Sequence, residues 1–321
     1  MKRLIMGIVL GALALGACNR SNEYKKDQEF YAEGKAQGYY DGKGGARPAE
    51  KFESMGQPKK RLVVFDLWND TPVKEGDFGR FAGDELRRLL YSSRRVLIPE
   101  DLQVRMTTED FIHGDQVKVA QLIREGRKLG VAVLVIGRIS KVTFRTRGDE
   151  VGILRQKQSL SGVEVELKVF DVATGREILA VSKPGEATAN ALVTTSPTDV
   201  EAKRQRAELT QLALRRAMSL ATPEILRGVE KLGWQGHVAK VMGNKLYINA
   251  GRQSGLVGGD ILKVTSPGDD VYDPITGAYL GRSVGQLKGT LEVVDFIGPD
   301  AAVTEVHTGG NFQEGDLVKL Y

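Results

Sequence analysis

The chain has 321 residues, 41% hydrophobic and 27% charged, which excludes a largely disordered polymer and fits a folded chain of about two domains. Its formal charge of +5 falls to +3 when Lys2 and Arg3 are set aside with the N-terminal segment, leaving 44 basic against 41 acidic residues, so no nucleic-acid partner is implied. A single cysteine excludes a disulfide within the chain, and stability must come from packed cores.

Residues 1–17 read as a secretory signal peptide. Lys2 and Arg3 give a basic start, residues 4–17 are apolar but for glycines, and Leu15, Gly16 and Ala17 end the run just before Cys18. The run is too short for a spanning helix, which needs ~20 apolar residues. This pattern resembles the lipobox of bacterial lipoproteins. The resemblance implies cleavage before Cys18, acylation of Cys18 and, because Asn19 rather than aspartate follows, a lipid-anchored place on the periplasmic face of the outer membrane. One acyl chain binds membranes only marginally, so a multi-chain anchor makes physical sense. An ordinary signal with an incidental cysteine is the alternative. Residues 18–60 are polar, glycine-bearing and almost free of aliphatic side chains, and read as a flexible tether. Tyr24, Phe30, Tyr31, Tyr39 and Tyr40 within it leave open a second reading, docking on a neighbouring subunit or envelope component.

The first globular segment, 61–222, opens with a short apolar run at 61–67 that predicts a buried strand. Asp77 is placed to cap a helix with Phe78, Phe81, Leu86, Leu89 and Leu90 on one face. A second run at 95–98 stops at Pro99, Asp115 is placed to cap a helix to about Lys128, and 131–137 predicts another buried strand. The pattern then changes to one-sided alternation over 141–147 and 163–169, with a tight turn at 171–175 and a return over 177–182. A long amphipathic helix is expected over 199–220, with Leu209, Leu212, Ala213, Ala217 and Leu220 facing the sheet.

Taken together, the opening strand with its Asn69-Asp70 loop, the 95–99 run, the strand 133–137 and the stretch 165–179 with its 171–175 turn resemble the curli-secretion lipoprotein family CsgG, akin to the TolB N-terminal region and to the cell-wall synthase activator LpoB. The resemblance spans roughly residues 60–222 and implies a mixed sheet with helices in a protein that forms homo-oligomers. The CsgG family builds a membrane barrel from hairpins, and this chain departs there. The corresponding stretch 145–161 holds Arg145, Arg147, Asp149, Glu150, Arg155 and Lys157, and a lipid-facing Arg or Lys costs ~2–4 kcal/mol at the bilayer midplane. A candidate second hairpin at 183–199 is rich in Ala, Thr and Pro. These compositions favour a soluble periplasmic ring or adaptor over a pore.

The second segment, 233–321, is dense in glycine. Strand-length pieces at 236–242, 245–249, 260–265, 285–296 and 301–306 predict a small all-β barrel or sandwich, so the fold class is α+β. Two phrases, 258–264 and 314–320, suggest one glycine-aspartate turn used twice. Residues 236–241, 246–251, Gly255-Leu256, Gly259-Asp260, 273–277 and Leu280-Gly281 resemble the C-terminal domain of the flagellar-assembly family FlgT.

Chemistry-bearing residues are sparse. Asp260, Asp273 and Asp316 read as turn residues rather than calcium ligands, since their spacing matches no metal loop. His113, His237 and His307 are isolated from nucleophile or zinc patterns and read as surface or satisfied polar groups. The glycines of 34–45 lack the preceding strand and the closing Gly-Lys-Ser/Thr of a phosphate loop. Trp68 and Trp234 read as packing. Lys203, Arg204, Arg206, Arg215 and Arg216 form a basic helix surface that meets either water or lipid headgroups. No catalytic residue, metal or cofactor is expected. The expectation is a non-enzymatic, outer-membrane-anchored assembly or secretion accessory with envelope-protein partners; the alternative is an LpoB-like activator of a peptidoglycan synthase.

Overall fold

Apolar residues on both faces mark β1 (Lys60–Val64) as a central strand: Leu62 and Val64 enter one hydrophobic core, and Val63 and the following Phe65 enter another. The computed structural model describes residues 58–74, 76–99, 106–113, 116–148, 155–193 and 198–321, all within one compact unit, Glu53–Tyr321. β2 (Trp68–Asn69) leads to α1 (Phe78–Ser92), where the Asp77 carboxylate accepts from the Arg80 N–H at 3.3 Å. Phe78, Leu86 and Leu90 are buried, with Phe81 and Leu89 packed beside them.

Next come β3 (Val96–Leu97), a 3-10 turn over Thr108–Phe111, the small pair β4 (Ile112–His113) and β5 (Gln116–Val117), and α2 (Val119–Lys128). The expected cap at Asp115 lies outside the described residues. Lys118 occupies the cap position without a side-chain bond, because the chain is still extended through β5.

A long antiparallel meander follows: β6 (Val133–Gly148), β7 (Arg155–Asp171) and β8 (Arg176–Val193). The segments read as separate strands at 131–137 and 141–147 are one strand, β6, with a register shift between Ile139 and Lys141. That bulge lets a strand buried on both faces continue as a one-sided one. The sheet order is β3-β1-β6-β7-β8, parallel around β1 and antiparallel beyond, and β2 pairs with β6 past the end of β1. The 171–175 turn forms as expected. Asp171 accepts from Ala173 N–H and the Thr174 hydroxyl, and Gly175 takes a φ of +69°. Within the candidate second hairpin at 183–199, the described residues 183–193 run as a single strand paired with β7, and residues 194–197 lie outside the described residues.

α3 (Asp199–Glu230) begins at a reciprocal cap between Thr198 and Glu201 and runs 32 residues, ten beyond the expected end at Leu220. Its buried face is Leu209, Ala213, Leu214, Ala217, Met218 and Ala221, whereas Leu212 and Leu220 are each 49% exposed. The reason is close approach to the sheet. A Cβ at Gly185 would lie 2.0 Å from the Ala213 carbonyl oxygen, so small residues, not leucines, define the contact line. α1 and α3 cover one side of the sheet, and α2 covers the other.

The remaining strands are β9 (Gln235–Met242), β10 (Lys245–Ile248), β11 (Ile261–Thr265), β12 (Asp270–Tyr272), β13 (Tyr279–Arg282), β14 (Leu287–Ile297), β15 (Ala301–Gly309) and β16 (Leu317–Leu320). Six close a barrel in the order β10-β15-β14-β11-β16-β9, and β12 with β13 forms a separate hairpin between β11 and β14. Exchanging β9, β10 and β11 for β14, β15 and β16 reproduces every pairing, so the barrel is two copies of one three-stranded unit. The repeated turns match: Gly259 and Gly315 both have φ of +87°, and Asp260 and Asp316 accept from Val257 N–H (2.9 Å) and Gln313 N–H (2.7 Å). Trp234, Val238, Leu246, Leu262, Leu291 and Val318 fill the interior.

Candidate functional site

Leu15, Gly16, Ala17 and Cys18 lie outside the described residues, as do the tether aromatics and the glycines of 34–45. The three aspartates weighed as calcium ligands each serve their own turn. Asp273 accepts from Ile275 and Thr276 N–H groups at 2.8 Å, and Asp316 also holds Lys288 at 2.8 and 2.9 Å. Among the described residues no three His, Cys, Asp or Glu side chains gather as a metal site, and no helix is long and apolar enough to cross a membrane.

Of the histidines, His113 is exposed, and His307 is exposed with Nδ1 3.3 Å from the Thr290 hydroxyl. His237 departs from expectation. Its Nδ1 is shielded from solvent without a hydrogen-bond partner, and burial, reinforced by Arg61 and Arg282, lowers its pKa to about 4. Trp68 is half-buried beside β6, and Trp234 is buried in the barrel. On the basic face of α3, Arg206 lies over Phe144 at 5.8 Å and Arg215 over Phe81 at 5.4 Å, while Arg204 bonds Glu208 at 2.9 Å. The long arginine stems therefore cover apolar surface.

Three surfaces can receive a partner. The first is the outer side of β8, which among the described residues pairs only with β7 and ends the sheet with an 18-residue strand. Lys183, Pro184 and Glu186 protect its middle, but 187–193 reads Ala-Thr-Ala-Asn-Ala-Leu-Val, without charge. An uncharged open edge is a template for another strand. The second is the hairpin of β12 and β13 with its flanks, where Ile275 is 93%, Val284 92%, Leu287 66% and Leu280 57% exposed. Ile275 and Leu280 lie on the hairpin and Val284 and Leu287 follow it, which makes this region a candidate interaction surface. The third is a cleft of about 110 Å³ at the end of the parallel strands, lined by Thr108, Ile112, Val117, Ile136, Gly137, Arg138, Glu166 and Lys168. Arg138 bonds Glu166 there at 2.8 Å, so the charged groups within it already pair.

The seam between sheet and barrel is held by polar contacts. Lys59 N–H donates to Ser254 O (2.7 Å), Arg61 to Asn249 O (2.8 Å), Asn249 Nδ2 to Gly130 O (3.0 Å), and Arg127 to both oxygens of Asp270 (3.0 and 2.9 Å). Sequence reasoning passed over Arg61, Arg127 and Arg282. Arg61 and Arg127 have partners far along the chain, and Arg282 meets Asp270 across a hairpin that carries no core-facing alternation.

No family model and no curated protein matches this chain. Among solved structures it is similar to hypothetical protein CT253 from Chlamydia trachomatis, with 13% identity, a TM-score of 0.33, and coverage of 53% of this chain and 98% of that one. It is also similar to the PelC dodecamer from Paraburkholderia phytofirmans (12%, 0.28, 52% and 88%) and to lipoprotein GNA1162 from Neisseria meningitidis (13%, 0.25, 48% and 98%). Scores this low carry no inference about function.

Proposed function

We propose that this chain is a lipid-anchored envelope protein that acts without a catalytic step, as an oligomeric assembly or secretion accessory of the CsgG-like type. Cys18 carries the anchor at the periplasmic face of the outer membrane, and residues 18–60 tether the folded part. The observation that carries the oligomeric reading is the outer edge of β8, unpaired among the described residues, whose outer half is free of charged residues in sequence and offers backbone groups to a neighbouring copy. The barrel, of FlgT C-terminal type in this reading, docks an envelope partner through the exposed hairpin of β12 and β13.

The anchor is tested by expressing the full chain and its Cys18→Ala variant with a radiolabelled or alkyne-tagged fatty acid. The intact chain is expected to take the label and fractionate with outer membranes, and the variant to lose both. Equal labelling of the two would refute the anchor. A labelled chain that is monomeric and binds a peptidoglycan synthase in a pull-down would favour the tethered activator instead.

A further inference from the structure

Among the described residues, five side-chain atoms are buried without any hydrogen-bond partner: Arg61 Nε, Arg127 Nε, His237 Nδ1, Tyr279 Oη and Arg282 Nε. All five belong to the seam between sheet and barrel, contributed by β1, α2, β9 and β13. The apolar cores contain none. Buried polar groups are nearly always satisfied, so five in one place need a common explanation.

The donor set states what is missing. The three guanidinium nitrogens can only donate, and a phenol hydroxyl donates readily, so the complement is an acceptor. The surroundings of the three guanidinium groups agree. Arg61, Arg127 and Arg282 face Asp270 and Asp300, the exposed Asp269 also acts on Arg282, and Arg282 Nη2 donates to Gly268 O, yet the three Nε atoms stay unpartnered. Asp270 is chelated by Arg127 and lies 3.3 Å from Arg282 Nε without hydrogen-bond geometry, and Asp300 stands 3.8 Å from Arg61. His237 adds no charge near neutral pH, since its pKa sits at about 4. The Arg282 side chain is only 2% exposed and that of Arg61 15%, so water does little to satisfy these donors and an anionic acceptor there would be strongly held. The parts are mutually close. Asn249 accepts from His237 N–H through its side chain (2.7 Å) and from Arg61 through its carbonyl (2.8 Å), while Arg127 and Arg282 share Asp270. The Tyr279 hydroxyl rests where a side chain on Gly175 would lie, 2.1 Å from such a Cβ.

We propose that this seam binds one small oxyanion, of the phosphate, sulfate or carboxylate class, gripped by Arg61, Arg127 and Arg282 with Tyr279 and His237 at its margin. Planar guanidinium groups suit such oxygens because they present paired donors. Bound there, the anion completes the contacts between sheet and barrel and raises the stability of the folded chain in proportion to its concentration.

The test is isothermal titration of the detergent-extracted full chain with inorganic phosphate, and in parallel arms with sulfate and with acetate, at constant ionic strength in a chloride buffer. One-to-one saturable binding of at least one anion is expected, weakened about tenfold or more by Arg282→Met. If Arg282→Met does not fold, as judged by circular dichroism, Tyr279→Phe replaces it; loss of its one hydroxyl is expected to weaken binding about threefold to tenfold. Absence of saturable binding of all three anions, or unchanged affinity in the folded variant used, overturns the proposal and leaves ordered water as the partner of these atoms.

Discussion

The two glycine-aspartate turns of the barrel make a controlled comparison, because they share backbone geometry and differ in what the aspartate holds. Asp316 is 1% exposed in its side chain and binds the Lys288 ammonium through both oxygens at 2.8 and 2.9 Å, as well as Gln313 N–H at 2.7 Å. Asp260 holds only Val257 N–H, at 2.9 Å. Truncating Asp260 to alanine removes one hydrogen bond and is expected to cost about 1 kcal/mol. Asp316→Ala also strands the Lys288 ammonium, 16% exposed in its side chain, and should cost about 3–5 kcal/mol. At about 2–4 °C per kcal/mol, that is a fall in Tm of about 10 °C. Urea unfolding followed by Trp234 fluorescence, in a Trp68→Phe background, reads the barrel directly, since Trp234 lies in its core. Replacing the pair together, Lys288→Met with Asp316→Leu, should recover most of the loss because no charge is left buried. Equal losses for Asp260→Ala and Asp316→Ala, or a double variant no better than Asp316→Ala, would refute the reasoning.

Three further outcomes follow from the same structure. In the unfolded chain the His237 imidazole titrates near 6.5, whereas burial first and then Arg61 and Arg282 hold it at about 4 when folded. The unfolded state therefore binds more protons between those values: stability is full above 6.5 and falls as pH drops toward 4, by about 3 kcal/mol in total. Urea titrations at pH 4.5 and 7.5 should show this loss, and His237→Gln should flatten it. Gly185→Val should push α3 off the sheet at Ala213 and Ala217 and lower stability by at least about 1–3 kcal/mol in thermal unfolding. Thr188→Lys, on the exposed outer part of β8, should change monomer stability by less than about 0.5 kcal/mol while dissociating the oligomer in light scattering.

Much of this fold is legible in local sequence because local physics determines it. The run around Leu62 and that around Val133 are apolar on both faces, as strands between two helical layers must be. Asp171 and Gly175 dictate their turn by side-chain hydrogen bonding and a positive φ, and the two glycine-aspartate phrases do the same in the barrel. What escaped the sequence depends on tertiary partners. The buried face of α3 turns on how closely Gly185 admits Ala213, which no hydrophobic periodicity reports, so Leu212 and Leu220 were assigned to the wrong side. The hairpin of β12 and β13 carries exposed Val271, Tyr272 and Leu280 and lacks a core-facing alternation. The arginine seam joins Arg61 to Asp300 and Arg127 to Asp270, pairs whose meeting depends on the whole fold.

The anchored, oligomeric reading meets its most direct test in the native mass of the acylated chain, extracted in detergent with Cys18 intact and measured by light scattering with the detergent contribution subtracted. A discrete complex of several subunits, reduced to single chains by Thr188→Lys, is the predicted result. A sharp monomer for the intact chain would contradict the account and leave the open β8 edge without a role in self-assembly.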